Sequence, residues 1–224
     1  MNLHSDFSQR VPIQMANLPW DAPAAAGIQR KVIEHDGREA ARTTAIVRYV
    51  PGTFLETHDG LGEEIVVLEG LLNTRAGNFG PNSYLKNLPR GAHAGVPQTG
   101  CTLFVKVGHL AADDRELSVA DPSRSPWYPG SVPGLSVFPL AEVGTQHTAL
   151  VRWEPGTRFN PHRHYGGEEI LVLDGVFEDE HGRYPAGAWI RSPHMSLHQP
   201  FSPEGCTILV KTGHLPQAYT PASR

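Results

Sequence analysis

Three side chains that could bind one metal ion lie close together in the stretch GTRFNPHRHYGGEEILVLDG, from Gly156 to Gly175. His162 and His164 are two residues apart, so on a β-strand both imidazoles would lie on the same face. Glu168 follows two turn-forming glycines and begins an apolar strand. Imidazole and carboxylate ligands together suit iron, manganese, nickel or zinc. The spacing therefore predicts a transition-metal site where two strands converge.

A fourth ligand is expected further along the chain. His198, within Leu-His-Gln-Pro on a returning strand, is the favoured candidate. His194 is the weaker candidate because it follows Pro193, where a strand would give way to a turn. A polar surface hairpin is the alternative interpretation of the His-Arg-His segment, but the added glutamate and the flanking glycines favour the metal site.

One unit of roughly 100 residues is repeated along the chain, which indicates a duplicated domain. Residues 44–53 match residues 148–157, and residues 63–70 match residues 168–175. The predicted organisation is an N-terminal arm at 1–18, a first copy at 19–110, a polar linker at 111–125, a second copy at 126–215 and a C-terminal tail at 216–224.

The composition and the pattern of apolar residues predict an all-β protein. The chain has 23 glycines and 20 prolines, which separate short runs rich in Val, Ile, Leu and Thr and favour a jelly-roll barrel in each copy. Residues 170–173 are apolar on both faces, so one face can fill a barrel while the other needs cover. We therefore expect two tandem jelly-roll β-barrels packed together as an internal pseudo-dimer.

Alignment of the two copies tests the ligand set within the chain itself. The first copy keeps three of the four candidate ligands, as His58, Glu63 and His93. Pro89 stands opposite His194, which favours His198 as the fourth ligand. Gly60 stands where the second histidine should be, so this first site is predicted to be altered and weaker, or empty. Two histidines and one carboxylate are also the ligands of non-haem iron oxygenases, so a function for the altered site in the first copy stays open.

The order of glycines and ligands in the second copy resembles the first motif of the cupins: Gly, five residues, His, one residue, His, three residues, Glu, six residues, Gly. Gly182, Pro185 and Gly187 match the second cupin motif more loosely, and the late position of His198 is similar to the ChrR-like group of cupins. The resemblance covers nearly the whole chain in two copies. It implies a bicupin in which one metal ion is held by three histidines and one glutamate: His162, His164, His198 and Glu168.

The resemblance implies three alternative functions. Some ChrR-like cupins are dioxygenases that cleave carbon–carbon bonds in diketones or hydroxyketones, so a non-haem-metal oxidoreductase acting on a small molecule is ranked narrowly first. Anti-sigma factors of this group imply instead a regulatory or oxidative-stress-sensing protein with a protein partner, but their N-terminal zinc domain with a Cys-x-x-Cys pair is not found in this sequence. A non-catalytic ligand-binding cupin is the third.

Zinc or iron is the favoured ion in the second copy, with manganese or nickel as alternatives and a second, weak site in the first copy.

Charge and hydropathy limit the kinds of binding partner that we expect for this protein. A net charge of −4 without any run of basic residues argues against nucleic-acid binding. The sequence has no apolar stretch of roughly 18 residues and no signal-peptide pattern at its start, so we expect a cytoplasmic protein with no membrane partner. A homodimer is left open. Cys101 and Cys206 are expected to be buried, reduced thiols, and Lys106 and Lys211 to face solvent.

Overall fold

A computed structural model describes residues 2–21, 27–38, 42–53, 62–74, 77–87, 99–110, 114 and 116–217. The strands are β1 (Asn2–Leu3), β2 (Val11–Gln14), β3 (Ile28–Asp36), β4 (Thr43–Tyr49), β5 (Glu63–Gly70), β6 (Leu72–Thr74), β7 (Gly77–Phe79), β8 (Tyr84–Lys86), β9 (Cys101–Val107), β10 (Ser118–Ala120), β11 (Tyr128–Pro129), β12 (Leu135–Val143), β13 (Gln146–Trp153), β14 (Thr157–Arg158), β15 (His162–His164), β16 (Glu168–Asp179), β17 (Gly182–Pro185), β18 (Ala188–Ser192), β19 (Ser196–His198), β20 (Phe201–Ser202) and β21 (Cys206–Thr212). Within the described residues the helical structure is a single 3-10 turn, Met15–Asn17, and no helix there is long and apolar enough to cross a membrane.

These strands form two compact units, each with one large antiparallel sheet. The first unit contains Met1–Ser5 and Met15–Trp127, and the second contains Asp6–Gln14 and Tyr128–Arg224. The strand order is β1-β3-β4-β9-β5-β8-β10 in the first sheet and β11-β12-β13-β21-β16-β18-β2 in the second. The five central strands of each sheet follow the same order along the sequence, which confirms the predicted all-β fold with two tandem copies.

The duplication extends to local irregularities. In β5 the register shifts between Val67 and Glu69, and in β16 it shifts between Val172 and Asp174. These four residues occupy matching places in the two copies. A bulge bends a strand and increases its local twist, so β5 and β16 bend at matching positions in the two sheets.

The N-terminal segment and the predicted linker both contain paired strands. β1 pairs with β3 in the first unit, whereas β2 pairs with β18 in the second unit. β10, which lies within residues 111–125, pairs with β8 in the first unit. The segment predicted to be an arm thus contributes one strand to each unit. Pro12, which cannot donate a backbone hydrogen bond, is tolerated in β2 because β2 is the last strand of its sheet.

Each unit has its own apolar core. Val67, Leu72 and Leu103 are fully buried in the first unit, and the second has an equivalent cluster on β16, β18 and β21. Cys101 and Cys206 belong to these cores as free thiols. Burial raises the pKa of both thiols to about 11, so they stay protonated at neutral pH. The expectation of buried, reduced cysteines is confirmed.

The two repeated lysines contradict the sequence-based expectation. Lys106 and Lys211 are buried instead of facing solvent. The Lys106 ammonium donates to the Thr44 hydroxyl at 3.1 Å, and the Lys211 ammonium donates to the Thr148 hydroxyl at 3.4 Å. The prediction was wrong because strand alternation identifies which residues share a face without showing whether that face is covered.

Candidate metal centre

β15 and β19 form a two-stranded sheet that brings three imidazoles together. His162 lies opposite His198 in the strand register, and His164 is two residues further along β15 on the same face. One ring nitrogen from each histidine lies within 4.8 Å of the others. The Nε2 atoms of His164 and His198 are 2.9 Å apart. The histidines chosen from the sequence therefore do converge.

Glu168 reaches the same place from the start of β16. Its Oε1 lies 3.3 Å from Nε2 of His164, and its Oε2 lies 3.5 Å from Nε2 of His198. Gly166 and Gly167 form the intervening turn with φ angles of +72° and +69°, a conformation that side-chain-bearing residues rarely adopt. A Cβ atom on Gly166 would also lie 2.7 Å from a backbone carbon of the neighbouring segment. The Gly-Gly pair is thus what returns the chain from His164 to Glu168.

The hydrogen-bonding state of the four side chains fits a metal ion. Oε2 of Glu168 is buried with no hydrogen-bond partner among the described residues, which is costly unless a cation satisfies it. Nδ1 of His162 lies 2.8 Å from the carbonyl oxygen of Asn160. This contact favours the tautomer with its proton on Nδ1 and leaves the Nε2 lone pair free for a metal. The donor set suits a divalent transition metal.

Burial sets the protonation of the four groups. Burial, with added repulsion from His198 and His162, lowers the pKa of His164 to about 3. Burial also lowers the pKa of His162, and it raises the pKa of Glu168 to about 7. For His198 burial acts to lower the pKa, but the carboxylates of Asp179 and Glu168 outweigh it and the pKa is raised. His162 and His164 are therefore neutral at pH 7, the form that binds a metal.

Two residues beside the site were not singled out from the sequence. Oδ2 of Asp179 lies 3.8 Å from Nδ1 of His198, and Arg10 donates to the same oxygen at 2.8 Å. Asp179 belongs to an Asp-Glu-His-Gly segment that is typical of a surface turn, and Arg10 belongs to the segment interpreted as an arm. Neither position carries a sequence pattern that would have identified it.

An apolar cavity of about 240 Å³ opens beside the four candidate ligands. Trp153, Phe159 and Phe177 line it together with aliphatic side chains from the second sheet. The ring centroid of Phe159 is 4.7 Å from that of His162, and the Trp153 ring meets Phe177 edge to face at 5.8 Å. The candidate ligands thus lie in the wall of a pocket suited to a small, mainly apolar molecule.

The other residues that the sequence suggested as metal ligands are His194 in the second copy and His58, Glu63 and His93 in the first. His194 is not part of the histidine cluster, and its Nδ1 accepts a hydrogen bond from the backbone N–H of Gly166 at 2.9 Å. In the first copy Glu63 is buried at the start of β5. His58 and His93 lie outside the described residues, so the altered site stays a prediction.

Comparison with protein-family models supports the resemblance derived from the motifs. The ChrR cupin-like domain model matches residues 8–111 and again residues 115–216. Both matches place the chain among the cupins, with one domain in each copy. The chain belongs to the ChrR cupin-like domain family.

Solved structures show the same fold at low sequence identity. A provisionally named dioxygenase from Nostoc punctiforme has a TM-score of 0.75 at 13% identity, with 95% of this chain and 85% of that chain covered. YlbA from E. coli has a TM-score of 0.67 at 12% identity, with 96% and 95% covered. Oxalate decarboxylase from Lactobacillus farciminis has a TM-score of 0.59 at 13% identity, with 95% and 88% covered. No curated protein matches the sequence significantly.

Proposed function

We propose that the second copy binds one divalent transition metal ion through His162, His164, Glu168 and His198, and that the protein is a metal-dependent dioxygenase acting on a small diketone or hydroxyketone. The observation that supports this is the convergence, in the wall of an apolar cavity, of three imidazoles and a buried carboxylate oxygen that accepts no hydrogen bond from any described residue. Iron or zinc suits the donor set, and oxidative chemistry favours iron.

A bound iron ion would supply the redox chemistry with O₂. The residues of the chain would hold the ion, bind the substrate and keep water out. Trp153, Phe159 and Phe177 are placed to contact the hydrocarbon part of a substrate bound in the cavity. An apolar wall around a polar centre also strengthens the electrostatic interactions within it.

Fold similarity does not choose among cupin activities, because one fold supports many functions. The competing functions are a regulatory or oxidative-stress-sensing protein with a protein partner, and a ligand-binding protein without turnover. A closed site with four protein ligands around zinc would favour these alternatives. In the first copy we propose a weaker site involving His58, Glu63 and His93.

The first test is metal content combined with oxygen uptake. The protein would be purified under anaerobic conditions without a His-tag or chelator and its metals quantified by elemental analysis. Oxygen consumption would then be followed after addition of pentane-2,4-dione. We expect iron near one equivalent per chain and oxygen uptake, and His162→Ala should lose both. Zinc near one equivalent with no oxygen uptake would contradict the dioxygenase function but not the metal site, whereas a metal-free wild-type protein that binds no added metal would contradict the site.

A further inference from the structure

We propose that Arg10 is a positioning residue of the metal centre: it holds Asp179, which in turn orients the imidazole of His198. This inference rests on the proposed metal site and extends it to the N-terminal segment. It assigns a role to residues 6–14, which the chain contributes to the second unit from the opposite end of the sequence.

The first step of the argument is the contact between Asp179 and His198. Nδ1 of His198 faces Oδ2 of Asp179 at 3.8 Å, while Nε2 faces Glu168 and His164. A carboxylate on the Nδ1 side favours the tautomer that carries its proton there, which directs the Nε2 lone pair at the metal position. Asp179 thus lies on the Nδ1 side of the His198 ring, where it can favour the Nδ1-protonated tautomer that binds a metal through Nε2.

The second step is how Asp179 itself is held. Its side chain is only 3% exposed, so its charge needs compensation. Nη2 of Arg10 donates to Oδ2 of Asp179 at 2.8 Å and also to the hydroxyl oxygen of Tyr184 at 2.8 Å. The Tyr184 hydroxyl donates to Oδ1 of Asp179 at 3.2 Å. The backbone N–H groups of His181 and Gly182 also donate to Oδ1, at 2.8 and 3.1 Å. Arg10 therefore contributes a charged donor at Oδ2, the oxygen that faces His198.

The third step is the anchoring of Arg10. It directly precedes β2, whose residues Val11–Gln14 pair with β18. On the other side of Arg10, the buried Arg191 donates to the carbonyl oxygen of Asp6 at 2.8 Å and its guanidinium lies 4.5 Å from the ring centroid of Phe7. The segment is thus fixed at both ends, so the Arg10 side chain reaches Asp179 from a rigid backbone.

A control residue is present on the same hairpin. Arg183 follows the turn that begins at Asp179, but its guanidinium pairs with Glu178 and Glu204. Its side chain is 55% exposed. Arg183→Met therefore removes an equal charge from the hairpin that carries Asp179 without removing the contact between Asp179 and His198.

The test measures the affinity of the full-length, metal-stripped protein for Zn²⁺ alone, by competition with a fluorescent chelator at a temperature well below unfolding. Loss of a carboxylate behind a ligating histidine typically weakens metal affinity by about 10- to 100-fold, and we expect Asp179→Asn to fall in that range. Arg10→Met, one contact further from the ion, should weaken binding by about three- to tenfold. Arg10→Lys should recover part of that loss because it keeps the charge, and Arg183→Met should bind as the wild type does.

The outcomes separate this inference from the proposed function. If the wild type binds Zn²⁺ and Arg10→Met binds equally well, Arg10 has only a structural role and the inference is wrong. Equal losses for Arg10→Met and Arg183→Met would also overturn it, because they would reveal a general charge effect. Failure of the wild type to bind Zn²⁺ would contradict the metal site itself. A second readout is the tautomer of His198 in nitrogen-15 spectra, where the Nδ1-protonated form should be less populated in Arg10→Met.

Discussion

Replacing Glu168 with glutamine should make the metal-free protein more stable while weakening metal binding. Burial raises the pKa of Glu168 from 4.5 to about 7, so between these values the folded chain keeps a proton that the unfolded chain has released. The free energy of unfolding of the metal-free wild type consequently falls as the pH rises from 4.5 to about 7. Above pH 7 this loss of stability, the penalty for burying the charged carboxylate, is present in full. Each pKa unit corresponds to about 1.4 kcal/mol, so the penalty at pH 8 is about 3 kcal/mol.

Glutamine has nearly the same shape and carries no charge, so Glu168→Gln should remove most of this penalty. We expect chelator-treated Glu168→Gln to exceed the chelator-treated wild type by up to about 3 kcal/mol at pH 8, and by less than about 1 kcal/mol at pH 5. The lowered pKa of His164 acts in the opposite direction, since stability is lost as the pH falls below 6.5. The shift of His164 is not caused by Glu168 and is common to both proteins. The variant also loses the Glu168 charge that helps to raise the pKa of His198, so its gain in stability at pH 8 is at most about 3 kcal/mol.

Urea denaturation followed by circular dichroism, at pH 5 and pH 8, measures this difference. The control is Glu204→Gln, since the Glu204 side chain is 59% exposed and its replacement should change stability by at most about 0.5 kcal/mol. With Zn²⁺ at about 100 times its dissociation constant, the wild type should gain about 2.7 kcal/mol and the variant much less. The reasoning would be refuted if metal-free Glu168→Gln were less stable than the wild type at pH 8.

Three further predictions concern the ligands, the turns and the pH. His162→Ala should abolish metal binding in the second copy and His194→Ala should not, as measured by elemental analysis; full occupancy in His162→Ala would disprove the ligand assignment. Gly213→Ala should lower stability by more than about 2 kcal/mol, because its Cβ would overlap a backbone oxygen of the facing turn. Gly156→Ala, with a similar φ but open space around it, should cost only about 1 kcal/mol, and equal melting temperatures for the two variants would contradict this. Metal affinity should fall about tenfold per unit as the pH drops below 7, because Glu168 must release its proton to bind, and a competition titration showing constant affinity from pH 7 to pH 5 would exclude this coupling.

The convergence of the candidate ligands could be predicted from the sequence because it depends on local geometry. His162 and His164 share a face through strand alternation, and the Gly166-Gly167 turn returns the chain to Glu168. His198 was found because the chain supplies its own comparison in the first copy. Each of these inferences uses either a short spacing or the internal repeat.

The supports of the site could not be predicted, since they depend on pairings between distant segments. β2 has four residues, one of them Pro12, and its hydrophobic pattern is too short to indicate a strand. Arg10 and Asp179 look like surface residues until the pairing of β2 with β18 brings them together. The buried lysines show the same limitation, because burial of a strand face is decided by tertiary packing.

The pairing of β2 with β18 also has a consequence for synthesis of the protein. The partner of Val11, Arg191, is synthesised about 180 residues after it, which at a rate of about 5–20 residues per second is a delay of roughly 10–35 s. Until then, Val11 and Ile13 lack the strand that they will pair with, and the nascent chain has an unpaired edge segment that chaperones could bind. The sheet of the second unit can thus be completed only after β18 has been synthesised, so binding of the proposed metal ion is expected to follow that step.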